Sequence, residues 1–170
     1  MYKKTLDSLI TNILLSDKMA SAYSNLKIEK TDLNQLIQKA LELTSIKNVK
    51  LNVPKNTTLS VDIVKSSIAI KNLVENAFKY SPENSSIVVE GKQTKNETII
   101  EVVDEGPGIP EEQLKKITKA FVRIPGSKES GFGLGLSICN KVMAAHGGSL
   151  KIKNVPGGGA CFALHFPLYK

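Results

Sequence analysis

Apolar residues recur at helical spacing in several stretches of the chain and alternate with polar residues in others. Steps of three and four residues predict longer helices over residues 2–23, 31–44, 62–80 and 133–145, and a short one over 110–120. Short β-branched runs predict strands over residues 51–53, 58–61, 86–90, 98–103, 150–153 and 160–166. This order predicts an α+β fold, with helices beside a largely antiparallel sheet.

Single residues mark the ends of the predicted helices. Thr31 and Asp62 each precede an apolar run of helical spacing, so we predict both as N-caps. Ser81 precedes a proline, which disfavours the helical conformation and ends the third helix there. The glycine pair that begins at Gly147 ends the last helix.

The first predicted helix carries an apolar seam made of Leu6, Ile10 and Ile13. Such a seam is typical of a helical bundle or coiled coil. A helix packed against its own domain would show the same periodicity, so the pattern leaves both interpretations open.

Composition indicates one globular domain. The 170 residues are 41% hydrophobic and 23% charged, a balance that excludes disorder. Cys139 and Cys161 lie far apart, which excludes a disulfide scaffold and a zinc ribbon and predicts two buried thiols. The net charge of +7 is dispersed, so we expect no nucleic-acid partner. An apolar run long enough to span a membrane is missing from the sequence.

A polar face interrupts the otherwise apolar third helix. Asn72, Asn76 and Lys79 are spaced four and three residues apart and therefore share one side of the helix. An amide oxygen can coordinate a hard cation, and a lysine can neutralise a phosphate. Taken alone, this pattern favours a solvated helix face over a binding site.

Two glycine-rich segments follow. Asp104 comes directly after a predicted strand and is followed by Gly106 and Gly108. A carboxylate there can accept a hydrogen bond from an amine, although an exposed loop aspartate would show the same pattern. Residues 131–136 open a helix with the pattern G-F-G-L-G-L, and the amides of such a segment can bind phosphate. The lysine and hydroxyl residue that would follow in a Walker A loop are missing, and no predicted strand directly precedes the segment as in a Rossmann motif. The segment is therefore neither of these motifs.

The three segments, in this order, resemble the nucleotide-binding boxes of the GHKL ATPases, which include sensor histidine kinases, gyrase, Hsp90 and MutL. The resemblance is strongest to the catalytic ATP-binding domain of a bacterial sensor histidine kinase, and it covers about residues 28–168. The boxes are residues 72–81 (N-box), 104–108 (G1), 117–123 (F-box) and 131–136 (G2).

The resemblance implies a two-layer α/β sandwich of the Bergerat type, a mostly antiparallel mixed sheet covered by helices on one face. Residues 1–27 would be the end of a dimerisation helix, and residues 28–170 the ATP-binding domain. The implied ATP-binding residues are Asn72, Asn76, Lys79, Tyr80, Asp104, Gly106, Gly108, Ile109, Gly131, Phe132, Gly133, Leu134, Gly135 and Leu136.

The family pattern also implies individual roles. Asn76 would hold the Mg²⁺ of Mg·ATP, with Asn72 supporting it. Lys79 would contact phosphate, and Tyr80 would lie against the adenine. Asp104 would accept a hydrogen bond from the adenine amine.

The family pattern further implies that Gly108 lets the base approach, while the glycines of residues 131–135 frame the phosphates. Residues 117–131 would form a mobile lid. Arg123 and Lys128 are its candidate γ-phosphate contacts, although Lys128 could equally be a plain surface charge.

The F-box departs from the family pattern. Thr118 replaces a phenylalanine and Val122 an aromatic residue, whereas Phe121 and Arg123 remain. In the G2 box, Phe132 stands where a small or hydroxyl residue is usual, and it would either pack over the lid or fill space. These differences bear on lid anchoring more than on nucleotide binding.

The N-box predicts phosphotransfer rather than hydrolysis. Gyrase-like relatives carry a glutamate at the position of Asn72, and an asparagine cannot act as a general base. His146 and His165 do not follow the acceptor pattern, in which an acidic residue comes after the histidine, so we interpret both as structural. The resemblance therefore implies that the acceptor histidine lies on a separate dimerisation domain.

Partners and alternatives follow from the same resemblance. The implied partners are the histidine-bearing domain of the parent protein and the receiver domain of a response regulator. The parent would be a membrane-anchored homodimer, and this chain a cytoplasmic domain of it. Two alternatives stay open: an anti-sigma-type serine kinase of the same fold, and a nucleotide-sensing module that has lost phosphotransfer.

Overall fold

The computed structural model describes residues 25–119, 122–124 and 133–168. The predicted first helix and its seam lie outside these residues. In chain order the elements are β1 (Ile28–Asp32), α1 (Leu33–Glu42), β2 (Val49–Asn52), β3 (Thr58–Asp62), α2 (Ile63–Tyr80), β4 (Ile87–Gln93), β5 (Glu97–Val103), α3 (Glu111–Leu114), α4 (Gly135–Ala145), β6 (Ser149–Asn154) and β7 (Ala160–Pro167).

Five strands form the main sheet, in the order β2-β4-β5-β7-β6. Only β2 and β4 pair in parallel, and the other three neighbouring pairs are antiparallel. Residues of β5 alternate between buried and half-buried positions, and Ile100 and Val102 are fully buried. This alternation shows one sheet face against a core and one face toward solvent.

Helices α1, α2 and α4 cover the buried face of the sheet, and α2 packs against both α1 and α4. Leu36 of α1, Leu73 of α2 and Val142 of α4 are fully buried in the shared core. On the opposite face Lys92 forms ion pairs with Glu90 and Glu101. The predicted α+β, two-layer sandwich is therefore confirmed.

The first described strand was not predicted, and it changes the arrangement of its neighbours. The sequence pattern places β2 and β3 on either side of one turn, but β3 pairs with β1 in a separate two-stranded sheet. Strand β1 reads IEKTD, and its only apolar residue, Ile28, is 43% exposed. A strand that buries so little gives no hydrophobic pattern to recognise.

One predicted N-cap is right and one is wrong. Asp62 caps α2, since its side chain accepts a hydrogen bond from the Lys65 amide at 3.0 Å. The cap of α1 is Asp32 rather than Thr31, and its carboxylate accepts from the Gln35 amide at 3.2 Å. Thr31 still belongs to β1, so the chain turns into the helix one residue later.

Two other helices are shorter than the sequence predicts. Helix α4 begins at Gly135 rather than Gly133, because Gly133 has a φ of +71° and cannot continue a right-handed helix. Helix α3 ends at Leu114, and residues 115–118 continue as turns. The end of α2 at Tyr80 and the end of α4 before Gly147 agree with the prediction.

Both cysteines are free and buried, as predicted. Burial raises the pKa of Cys139 to about 12 and that of Cys161 to about 11, which keeps both thiols protonated at neutral pH. Within the described ranges, every helix is too short or too polar to cross a membrane.

Candidate functional site

Helix α2 presents the predicted polar face beside the core. Asn72, Asn76 and Lys79 are each half-buried, whereas Leu73 and Ala77 between them are fully buried. The helix therefore fixes the three polar side chains by packing its apolar side against the sheet. It ends at Tyr80 because Ser81 takes an extended conformation, with φ of −81° and ψ of 149°.

Asp104 is the first residue after β5, and it is 5% exposed. Its Oδ1 accepts hydrogen bonds from the Gly106 amide at 2.9 Å and the Ala160 amide at 3.0 Å. Burial raises the pKa of this carboxyl, and the two amide bonds lower it by less. Both of these bonds end on Oδ1, and among the described residues none donates to Oδ2, so that oxygen can accept a hydrogen bond from a ligand.

The loop after Asp104 lies directly on the end of α2. A Cβ at Gly106 would sit 2.7 Å from the carbonyl oxygen of Tyr80, so only glycine fits there. The Glu105 amide donates to the Ser81 hydroxyl at 3.2 Å. The N-box and G1 segments are therefore in contact through the last turn of α2.

The start of α4 lies against the middle of α2. A Cβ built on Gly135 would be 3.8 Å from the Cβ of Asn72, an ordinary contact distance. Leu134 is buried, and its carbonyl accepts from the Ser137 hydroxyl at 2.8 Å. Helix α2 thus touches both glycine-bearing segments, which brings the described parts of all three predicted segments together. Gly131 and Phe132 lie outside the described residues.

Residues 61–170 match the family described as "Histidine kinase-, DNA gyrase B-, and HSP90-like ATPase". The chain belongs to this family. The match covers more than half of the chain and contains all four predicted boxes.

Curated relatives of this ATPase-family domain are sensor kinases. The adaptive-response sensory kinase SasA of Crocosphaera subtropica is 31% identical over 98% of this chain and 46% of its own length. The sensor protein KdpD of Escherichia coli is 34% identical over 94% of this chain and 18% of its own length. The chain therefore spans about half of the SasA relatives and less than a fifth of this KdpD.

Solved histidine kinases share the fold. The catalytic domain of histidine kinase ThkA is 28% identical with a TM-score of 0.72, covering 84% of this chain and 98% of its own. Full-length ShkA in complex with AMPPNP is 25% identical with a TM-score of 0.81, covering 95% of this chain and 35% of its own. The first of these shows that the fold occurs as an isolated catalytic domain.

Of the predicted lid, the structure describes residues 117–119 and 122–124, and the first and last of these residues pack into the core. Ile117 is 5% exposed and Ile124 packs against the core. Between them the Val122 amide donates to the Lys119 carbonyl at 3.3 Å, and Arg123 is exposed. Phe121 and Lys128 lie outside the described residues. Lid motion and the phosphate contacts of Arg123 and Lys128 stay predictions.

Lys79 lies over the ring of the neighbouring Tyr80. Its Nζ is 5.0 Å from the ring centroid, within the range of a cation–π contact. The two side chains predicted to meet phosphate and adenine are therefore adjacent. Their individual roles stay predictions.

The sequence predicts the final hairpin between β6 and β7 but not the contact of its turn with Asp104. Gly159 has a φ of +87°, and a Cβ there would sit 2.0 Å from the Asp104 carbonyl oxygen. The Asp104 amide donates to the Ala160 carbonyl at 3.0 Å. Three successive glycines exceed what a β-hairpin turn needs, and this excess was the available signal.

A second concave surface lies elsewhere on the domain. This groove has a volume of about 750 Å³, and its walls come from β1, α1 and β3 with Ile63. It contains none of the predicted ATP-binding residues. We therefore place the candidate site where the N-box, G1 and G2 segments meet along α2.

Proposed function

We propose that this chain is the catalytic domain of a sensor histidine kinase that binds Mg·ATP and positions its γ-phosphoryl group for a histidine on a separate domain. The observation that carries the proposal is the environment of Asp104. This buried carboxylate has one oxygen held by two backbone amides and a second oxygen available to an adenine amine. ShkA, a structural neighbour, was solved with the nucleotide AMPPNP.

Discrimination for adenine would follow from hydrogen-bond polarity. An ionised carboxylate can only accept, so Asp104 favours a base that presents an amine over one that presents a carbonyl. The bond is charge-assisted and lies in a buried site, where such bonds are strong. Gly108, four residues further along the loop, has a φ of +79°, a conformation that favours glycine and would let the base approach bare backbone.

The donors on α2 fit a magnesium ion bound together with nucleotide phosphates. Asn76 offers a half-buried amide oxygen, a hard and neutral ligand of the kind Mg²⁺ accepts. Mg²⁺ needs few protein ligands when phosphate oxygens fill its other positions. When bound, the ion neutralises phosphate charge. Asn76 would hold it, Asn72 would support that site, and Lys79 would add a positive charge.

The chemistry would be phosphoryl transfer by positioning and charge neutralisation. An imidazole nitrogen of the acceptor histidine forms a bond to the γ-phosphorus while the bond to the oxygen of ADP breaks. ADP leaves, and the proton on the other ring nitrogen passes to an acidic side chain of the acceptor domain. This chain contributes the grip on the nucleotide, because Asn72 cannot activate water as a general base.

Several wider features belong to the same proposal. Residues 1–27 would continue a dimerisation helix, with residues 28–170 forming the catalytic domain. The partners would be the histidine-bearing domain of the parent protein and a response-regulator receiver domain. The parent would be a membrane-anchored homodimer that holds this domain in the cytoplasm.

The decisive experiment adds the purified histidine-bearing domain of the parent protein and γ-labelled ATP to the chain. We expect label on the histidine and expect Asp104→Asn to abolish most of it. Asp62→Asn is the matched control, because Asp62 is equally buried but faces no predicted box. Tight ATP binding without label would instead support the nucleotide-sensing module, which the altered F-box favours. Absence of ATP binding would contradict both.

A further inference from the structure

The side chain of Asn154 makes a reciprocal pair of hydrogen bonds with the backbone of Ile109. The Ile109 amide donates to Asn154 Oδ1 at 2.8 Å, and Asn154 Nδ2 donates to the Ile109 carbonyl at 2.8 Å. Asn154 is the last residue of β6 and lies 45 positions from Ile109. The amide therefore imitates a strand neighbour and ties the end of β6 to the loop after β5.

The same amide lies against Gly108. A Cβ on Gly108 would be 3.0 Å from Asn154 Oδ1, so the backbone of the loop approaches the asparagine closely. Gly108 also has a φ of +79°, a conformation that side chains rarely adopt. Asn154 thus holds a segment whose glycine would otherwise give it wide conformational freedom.

The two ends of this loop are held by different residues. Asp104, Ser81 and Ala160 fix its beginning through the bonds to residues 104–106. Within the described parts of the chain, the hydrogen bonds that reach residues 107–109 both come from Asn154. Asn154 therefore sets the position of the distal half, which the family resemblance places beside the base.

We propose that Asn154 is a positioning residue for adenine binding, acting through the backbone of Gly108 and Ile109. This inference rests on the proposed nucleotide-binding function. A loop held in its bound conformation loses less conformational freedom when the ligand arrives. Asn154 raises affinity by fixing the loop beforehand and need not touch the nucleotide.

The test measures the Kd of Mg·AMPPNP for the 170-residue chain and for its Asn154→Ala variant. The matched control is Asn52→Ala, because Asn52 is likewise an exposed asparagine that ends a strand of the same sheet. Loss of two neutral hydrogen bonds predicts a Kd about tenfold higher for Asn154→Ala. The control should stay within about twofold of the wild-type Kd. Equal Kd values for wild type and Asn154→Ala would overturn the inference.

A double-mutant cycle with Asp104→Asn separates positioning from a general loss of structure. If Asn154 acts by placing the base against Asp104, the effect of Asn154→Ala should shrink in the Asp104→Asn background. Additive effects would instead indicate a merely structural role and would overturn the inference.

Asn154→Asp covers the case in which the alanine variant does not fold. Aspartate keeps the shape and the acceptor for the Ile109 amide, but it turns a second acceptor toward the Ile109 carbonyl. We expect it to weaken binding at least as much as alanine, and a wild-type Kd for this variant would overturn the inference.

Hydrogen exchange distinguishes failure of this inference from failure of the proposed function. If the wild-type chain does not bind Mg·AMPPNP, the proposed function fails on its own. Exchange of the Ile109 amide should still be faster in Asn154→Ala, which removes the acceptor of that amide, than in wild type. Unchanged exchange would overturn the positioning role independently of any ligand.

Discussion

Asp62 and Asp104 are equally exposed to solvent, but their pKa values are shifted in opposite directions. Each carboxylate follows or ends a strand, each is 5% exposed, and each accepts hydrogen bonds from backbone amides. Nevertheless, the pKa of Asp62 is lowered and that of Asp104 is raised.

At Asp62 the protein uses both oxygens. Oδ1 accepts from the Lys65 amide, and Oδ2 accepts from the Lys27 amide and the Lys65 ammonium, all at 3.0 Å. Burial alone would raise the pKa of Asp62, but these bonds and the Lys65 charge outweigh it. This carboxylate caps a helix, and both of its oxygens accept hydrogen bonds from within the fold.

At Asp104 the hydrogen bonds from residues that the structure describes all end on one oxygen. Two backbone amides hold Oδ1, and burial has the larger effect on the pKa. In the described part of the chain, Asp104 has no ion pair comparable to that of Asp62 with Lys65. Burial disfavours the charged form of this carboxylate, and its Oδ2 can still accept a hydrogen bond. Both properties are typical of a ligand-binding site.

The comparison predicts its largest effect for Asp104→Asn. The variant replaces an acceptor with a donor that repels the adenine amine, so the Kd of Mg·AMPPNP should rise about 10- to 100-fold. Isothermal titration calorimetry measures this. A Kd within about twofold of wild type would contradict the assignment of Asp104 to the base.

The reverse result is expected for Asp62→Ala. Loss of the cap should lower the free energy of unfolding by about 1–2 kcal/mol, as measured by urea denaturation. The Kd of Mg·AMPPNP should stay near the wild-type value, because Asp62 lies at the opposite end of α2 from Tyr80. A loss of affinity as large as that of Asp104→Asn would erase the distinction between the two carboxylates.

The contact between His146 and the Asp62 amide should make the free energy of unfolding depend on pH. Its Nε2 accepts from the Asp62 amide at 3.0 Å and its Nδ1 pairs with the Val142 carbonyl at 2.8 Å, so the ring must be neutral. Burial lowers the pKa of His146, more than Val142 and the Asp62 charge raise it.

A histidine with a lowered pKa stabilises the fold above its unfolded pKa of about 6.5, and that stability is lost as the pH falls toward the folded pKa. Urea denaturation between pH 7 and pH 5 should show a loss of at most about 1.4 kcal/mol per pH unit. His146→Gln should flatten this dependence. An unchanged slope in that variant would show that other groups cause the loss.

The smallest effect concerns the stability of Asp104→Asn. A carboxyl with a raised pKa costs stability as the pH rises from its unfolded pKa of about 3.9 through the folded value. The variant escapes this cost, so its unfolding free energy relative to wild type should increase over that range and then level off. Urea midpoints measured at successive pH values check this, and a relative decrease would mean that the charge of Asp104 is stabilised within the fold.

Local patterns explain which parts of the fold were predictable. Asp62 was recognised as a cap because an apolar helical run follows it, and Ser81 as a terminus because a proline follows. Strand β1 has no apolar pattern because Ile28 is exposed, and the sequence therefore predicts Thr31 rather than Asp32 as the cap. An element that buries little leaves almost no periodic signal.

The residues of the candidate site likewise differ in how far the sequence could predict them. Asp104 and the residues of α2 stand in short motifs, so the family resemblance could single them out as site candidates. Asn154 belongs to no motif, and its pairing with Ile109 across 45 positions depends on the register of β6 and β7. Contacts of this kind arise from tertiary structure and have no local sequence pattern.

Hydrogen exchange of the 170-residue chain with and without Mg·AMPPNP tests the central claim most directly. We predict that nucleotide slows exchange together in residues 72–81, 104–109 and 133–136, the segments that meet along α2. Protection confined to the groove of β1 and α1, or absent from all three segments, would contradict the account.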